Sequence, residues 1–336
     1  MLSQGREKAM TNSKQNPYLF IVGCQRSGTG LLRRILNAHP WIAMTYETHW
    51  IPRWFEERKG LTAEGYVTPE LISLLLESPR FVRMEISRED LEGLIKPGEP
   101  VSYSSFITGI FDLYGRARGK TLVGDKVPGY VRKIPTLHAL WPKTRFVHLI
   151  RDGRDVCLSF TDWRKTRRIN VGRHLTTWNE DPVSTTAMWW EWHVRLGRET
   201  GSLLGPELYY EITYESLVAN PEKEVKALCA FLGVPYDDAM QRFHEGQTTN
   251  APGLGTNYAC LPVTPGLRDW KGQMPATDIG QFEAVAGGLL DELGYARGVP
   301  CPELEVRKHA AGIRDLFTEY FRSRKRHQLP KHWEAA

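Results

Sequence analysis

The sequence predicts a three-layer α/β fold: a mainly parallel central sheet, helices on both faces, and a helical insertion. Two runs carry most of that expectation. "YLFIVG" (Tyr18–Gly23) and "TRFVHLI" (Thr144–Ile150) are apolar without alternation, as strands buried on both faces are. Each leads through a glycine-bearing turn into a segment with apolar residues at helical spacing. The same alternation of strand and helix recurs along the chain.

After the first strand, "TGLLRRILNAH" reads as a helix closed by Pro40, and "WIAMT" (Trp41–Thr45) as a second strand. Residues 50–115 read as helical and aromatic, and form the insertion. "TLVGDK" (Thr121–Lys126) is a third strand, followed by helical "YVRKIPTLHALW". "DGRDVCLSFTDW" (Asp152–Trp163) begins a helix after the 144–150 strand. A further helix over roughly Thr185–Leu203 carries Trp189, Trp192 and Leu196 on one stripe, which reads as core. "LYYEITYE" is a strand, and "PEKEVKALCAFLG" a helix that Gly233 stops. There is no internal repeat or composition break. The expected organisation is a disordered lead-in at 1–17, one domain at 18–300, and a basic helix or tail at 301–336 that includes "RSRKRH".

The chain has 336 residues, 41% hydrophobic and 25% charged, as globular proteins have. No apolar run is long enough to span a membrane, and the N-terminus lacks a signal-peptide core, so a cytoplasmic location is expected. Five scattered cysteines form no C-x-x-C pair, so neither a zinc site nor a disulfide framework is expected. Cys24 and Cys157 read as small buried groups. A net charge of +5 suits an anionic ligand without implying nucleic acid.

The chemistry concentrates in two loops. In "FIVGCQRSGTGLLRRIL" a strand feeds a glycine loop and a helix, which directs backbone N–H groups and the helix dipole at one anion. Arg26, Ser27 and Thr29 add side-chain donors. The triphosphate loop G-x-x-x-x-G-K-[ST] is matched at Gly23 and Gly28, but Thr29 and Gly30 occupy the lysine and Ser/Thr places. The hydroxyl that would hold Mg²⁺ is missing, so the loop points to a phosphate ligand that needs no metal. The second loop, "FVHLIRDGRDVCLSF", puts Arg151 at a strand's carboxyl end, where ligands bind in open α/β sheets. Ser159 lies two helical turns on and can share an anion with Arg151 only if the helix folds across the site. Taken alone, that loop also reads as a structural ion-pair turn with Arg154 and Asp155 solvated.

Together the loops resemble the sulfotransferases that use 3′-phosphoadenosine 5′-phosphosulfate (PAPS), on a P-loop-NTPase-like fold. The branch resembled includes tyrosylprotein sulfotransferases and bacterial enzymes, with arginine at Arg26 where cytosolic sulfotransferases carry lysine. The resemblance implies that Gln25, Arg26, Ser27, Gly28, Thr29 and Gly30 hold the 5′-phosphosulfate, and that Arg151 and Ser159 hold the 3′-phosphate. "LNAHPWIAMTYETHWIPR" resembles a segment that places the catalytic base at Glu47, with His49 in an arginine's place and a rival base. "GDKVP" places Lys126 against the transferring group. "YYEITYESLVANP" implies Tyr214 as a nucleotide contact. "LRDWKGQMP" resembles a loop over the cofactor, from which Arg268 and Lys271 reach phosphate. The insertion then falls on the acceptor side. Two further departures are Gln25, for a common proline, and Gly30, for a common Ser/Thr.

The implied reaction moves a sulfuryl group from PAPS to a hydroxyl, or less readily an amine, and releases PAP without a metal. Small molecules such as phenols, glycans, lipids and peptide tyrosines are all open as acceptors, and so is a homodimer. The competing readings are a metal-dependent small-molecule or nucleoside kinase, which Gly30 disfavours, and a non-catalytic nucleotide-binding protein.

Overall fold

The computed structural model describes residues 16–96, 98–161, 177–245, 262–264, 266 and 268–323. Five parallel strands form one sheet in the order β2-β3-β1-β4-β5. They are β1 (Leu19–Gly23), β2 (Ile42–Met44), β3 (Leu122–Lys126), β4 (Arg145–Ile150) and β5 (Tyr209–Thr213). A parallel sheet brings the carboxyl ends of all its strands to one edge. Gly23, Lys126 and Ile150 therefore end side by side, and the loops that follow them meet.

The period-two geometry of β1 sends alternate side chains to opposite faces. Leu19 and Ile21 join a core with Leu32, Leu36 and Leu228, from the helices Thr29–Ala38 and Pro221–Leu232. Phe20 and Val22 join a second core with Phe106, Ile110 and Leu137, from the helices Tyr103–Arg116 and Ile134–Leu140. A third apolar cluster unites the long helix Pro182–Leu204 with Ala276–Glu292 and Leu304–Arg322. Of the stripe read as core, Trp192 and Leu196 are buried and Trp189 is partly buried against the third cluster; Cys24 and Cys157 are buried too. The span between β2 and β3 is helical, and its aromatics Trp50, Trp54, Phe81, Tyr103, Phe106, Phe111 and Tyr114 are buried.

Three expectations need correction. The lead-in does not extend to residue 17. Asn16 is buried, donating through Nδ2 to Asp112 at 2.7 Å and accepting from the Val123 amide at 2.8 Å, so it pins the start of β1 beside β3. Residues 1–15 lie outside the described residues. The strand read through "LYYEITYE" stops at Thr213, whose hydroxyl accepts from the Ser216 amide and caps a short helix beginning at Tyr214. The segment after residue 300 is no appendage as far as Arg322. Its helix buries Ile313, Phe317 and Phe321, and the Phe321 ring lies 4.4 Å from that of Trp192. Residues 324–336, with most of "RSRKRH", lie outside the described residues. Among the described residues no helix is long and apolar enough to cross a membrane.

His148, in the middle of β4, is fully buried. Its Nδ1 hydrogen bonds the Tyr209 hydroxyl at 2.5 Å, that hydroxyl donates to Glu211, and Nε2 has no partner. A second ring proton would be stranded in the core, so burial, aided by the charge of Arg198, pushes the imidazole down to about 3. The unfolded chain then binds the extra proton first as pH falls below about 6.5, and stability contributed by the neutral ring is lost on acidification. The expected contribution is a loss of up to ~1.4 kcal/mol per pH unit below pH 6. Denaturant unfolding at pH 7, 6 and 5 checks this. His148→Asn, which keeps a polar partner for Tyr209 but does not titrate, should flatten the dependence; an unchanged slope contradicts the assignment.

Candidate functional site

The first loop follows β1. The backbone of Arg26 has φ 72° and that of Gly28 φ 94°, both left-handed. This curls the loop, and the helix Thr29–Ala38 starts directly after it. A Cβ at Gly28 would lie 2.4 Å from the Tyr214 ring, so only glycine fits there. Ser27 is buried and its Oγ has no hydrogen-bond partner. A buried donor left in this way fits an anion seated in the loop.

The second loop follows β4. Arg151 is buried; its guanidinium lies 4.2 Å from the centre of the Tyr214 ring and donates to Asp155 at 3.2 Å, and its Nε has no partner. Asp155 also accepts from the Trp270 amide at 2.9 Å, which fastens the 268–273 segment over the loop. Tyr214 thus touches both loops at once, with Gly28 against its ring edge and Arg151 on its face. Arg151 and Arg268 each lie close enough to repel Arg26. Burial, then Arg268 and Arg151, push the Arg26 guanidinium down to about 10. Three cations converging on one edge of the sheet make a strongly anion-attracting site.

The base-side segment is built around Asp125. Fully buried at the end of β3, its carboxylate accepts from Thr45 at 2.7 Å and Thr48 at 2.6 Å. Thr48 also bonds the Tyr130 hydroxyl at 2.8 Å. Burial raises the Asp125 carboxyl above its ordinary value, and the two threonine hydroxyls offset part of that rise. The next strand residue, Lys126, donates instead to Glu47. Glu47 (φ 24°) and His49 (φ 55°) are not extended, yet His49 Nε2 donates to Glu47 Oε2 at 3.1 Å. Arg80, from the insertion, donates to the Glu47 carbonyl at 3.0 Å. Burial alone would raise the Glu47 carboxyl; the hydrogen bond from His49 and the Lys126 ammonium outweigh it and hold Glu47 well below the usual carboxylate range. Of the five non-glycine residues with left-handed backbone among those described, three are Arg26, Glu47 and His49. Such strain persists where surrounding contacts over-determine it, and it gathers at functional sites.

The structure therefore assembles Arg26, Ser27, Gly28, Arg151, Ser159, Tyr214 and Arg268 in one cluster, and Glu47, His49 and Lys126 in another. Ser159 accepts from Arg26 Nε at 2.8 Å, so its hydrogen bond runs to the first loop. Lys271 is exposed, its ammonium 5.8 Å from the centre of the Trp270 ring. Thr29 is buried, and a Cβ at Gly30 would meet nothing within 4 Å. The solvated reading of Arg154 and Asp155 is wrong. Arg154 is 1% exposed, paired with Asp152 at 2.7 Å and Glu283 at 2.6 Å, and stacked 3.5 Å from the centre of the Trp270 ring. Its partner Glu283 lies 129 residues away, so no local spacing signals the pair. Arg80 is equally silent in the sequence.

Residues 17–238 match the family described as the Sulfotransferase family. Protein-tyrosine sulfotransferase 1 of Danio rerio is 27% identical over 301 residues, covering 84% of this chain and 73% of the relative. The Homo sapiens protein of that name is 28% identical over 306 residues, covering 86% and 72%. The solved sulfotransferase domain from the curacin biosynthetic pathway has a TM-score of 0.56 at 22% identity, covering 83% of this chain and 98% of that one. That likeness carries the fold, a P-loop-NTPase-like α/β architecture.

Two glycines in the loop should behave oppositely. Gly28→Ala meets both a left-handed backbone and the Tyr214 ring, and should cost about 1–3 kcal/mol of stability. Gly30→Ala lies in open space in a helix, and should be neutral or stabilising by up to about 1 kcal/mol. Thermal unfolding of the two variants checks the pair.

Proposed function

The chain belongs to the sulfotransferase family, and from that premise we propose that it transfers a sulfuryl group from PAPS to the hydroxyl of a protein tyrosine, releasing PAP. The observation that carries the donor assignment is the cluster of Arg26, Arg151 and Arg268 around a glycine loop, in which Ser27 Oγ and Arg151 Nε are buried and without partners. These groups fit a ligand with two separate anionic ends. PAPS supplies a sulfuryl group on a good phosphate leaving group; the chain supplies position, charge and a base. Arg26 and the loop N–H groups bind the 5′ end, and Arg151 binds the 3′-phosphate. Ser159, bonded to Arg26, orients that arginine. Gly30 stands where a kinase loop would place its Mg²⁺-holding hydroxyl, which argues against the kinase reading.

On the acceptor side Glu47 takes the hydroxyl proton as general base. Lys126 and His49 fix the carboxylate from two directions, and to Lys126 we also assign the offset of charge developing on the transferring group, as the resemblance implies. A cavity of about 260 Å³ is lined by Thr48, Trp50 and Arg53, and by His49 and Arg80, both of which hydrogen bond Glu47. Its volume accommodates a phenol ring, and its basic side chains favour an acceptor segment of negative charge. The names of the relatives support tyrosine over the other hydroxyls.

Glu47→Gln should slow turnover roughly 10²–10⁴-fold and leave PAPS binding near wild type. His49→Ala should cost less; the reverse ranking makes His49 the base. The pH profile gives an independent check. A carboxyl held below its usual range stays ionised as pH falls, so kcat/KM should hold on the acid side to below about pH 4. Lys126→Ala removes one of the groups that depress Glu47, and should move that limb upward. A wild-type limb near pH 6.5 would point to an imidazole and contradict the assignment.

A further inference from the structure

The long helix Pro182–Leu204 contributes two adjacent indoles to the two anion-binding loops. Trp189 Nε1 donates to Gln25 Oε1 at 2.9 Å, in the loop after β1. Trp190 Nε1 donates to the backbone carbonyl of Arg151 at 2.9 Å, in the loop after β4. Consecutive residues on a helix point about 100° apart, so neighbours can reach different loops from one rigid rod.

Both indoles are held. A Cβ at Gly153 would lie 2.5 Å from the Trp190 ring, so the second loop closes directly on it. The Trp189 ring lies 4.4 Å from that of His193 and 5.5 Å from that of Trp192, its neighbours at i+4 and i+3. Arg132 stacks on the same group, 5.5 Å from the centre of the Trp189 ring and 5.0 Å from that of Trp192, with its Nε buried and unpartnered. Arg132 belongs to the turn of helix directly after Lys126 and Val127. Trp189 is only partly buried, whereas Trp190 and Trp192 are fully buried. Its ring packs on one side against the third apolar cluster, and its N–H is directed outward to Gln25. Gln25 precedes Arg26, whose left-handed backbone has to be enforced from outside the loop.

We propose that Trp189 and Trp190 are positioning residues that fix the two loops relative to each other. The spacing they set selects a nucleotide carrying anions at both its 5′ and 3′ positions. The inference rests on the donor assignment above.

The experiment measures binding of 5′-AMP and 3′-AMP, which report on the two loops separately, to wild type, Trp189→Phe and Gln25→Leu. Trp189→Phe keeps an aromatic ring and removes the N–H donor. It should weaken 5′-AMP about three- to tenfold, the scale of one neutral hydrogen bond, and leave 3′-AMP within about twofold. Gln25→Leu should reproduce that pattern, and the double variant should be no worse than either single one. Trp190→Phe, if it folds, should show the opposite preference. Equal weakening of both nucleotides by Trp189→Phe, full additivity in the double variant, or no effect would overturn the proposal. Wild-type protein that binds neither nucleotide would instead overturn the donor assignment, and the proposal with it.

Discussion

Like charges have to be held together at the carboxyl edge of the sheet. Arg26, Arg151 and Arg268 arrive from three distant parts of the chain; burial, and then the charges of Arg268 and Arg151, make the Arg26 cation costly to hold. The surrounding fold is arranged to bear that repulsion. Ser159 accepts from Arg26, Asp155 pairs with Arg151, and the face of Tyr214 lies against Arg151. The Trp270 amide returns to Asp155 and closes the ring of contacts. Arg154 is oriented the other way, fully paired with Asp152 and Glu283, so it adds rigidity without adding free positive charge to the cluster. A parallel sheet makes the convergence possible, and the neutralising contacts make it stable enough to persist.

The same logic of paired duties governs the acceptor side. Two consecutive residues at the end of β3 divide the work. Asp125 turns inward and ties down Thr45 and Thr48, while Lys126 meets Glu47. The segment carrying the proposed base is thus fixed by a fully buried carboxylate. His49 and Arg80, which bond Glu47, line the neighbouring cavity. Holding Glu47 ionised costs it basicity and keeps it available across a wide pH range, a trade suited to a reaction whose donor already carries an activated group.

Much of this was legible in the sequence because it is local. The continuous apolar runs of β1 and β4, the glycine loop with Arg26, and Arg151 at a strand end appear as short patterns, whereas Glu47 and Lys126 are singled out only by the family resemblance. What was not legible depends on contacts between distant segments. The resemblance sets Ser159 beside Arg151 on one phosphate, but its bond to Arg26, 133 residues away, has no signal in the spacing. Tyr214 reads as the end of a strand because "LYYEITYE" alternates well, but the Thr213 cap turns the chain one residue earlier. Arg154 reads as solvated because Glu283 cannot be foreseen, and Asn16 reads as part of a tail because its partners lie near residues 112 and 123. The tryptophan stripe is apparent as core, whereas the indole donors within it are not.

Calorimetric titration with PAP, 5′-AMP and ATP, each with and without Mg²⁺, addresses the cation cluster and the metal-free loop together. A site formed by Arg26 at one end and Arg151 at the other should bind PAP at least about tenfold more tightly than 5′-AMP, the worth of one charge-assisted contact, with no dependence on Mg²⁺. Equal affinity for PAP and 5′-AMP, or tight binding of ATP only when Mg²⁺ is present, would contradict the proposed donor and the role given to the arginines.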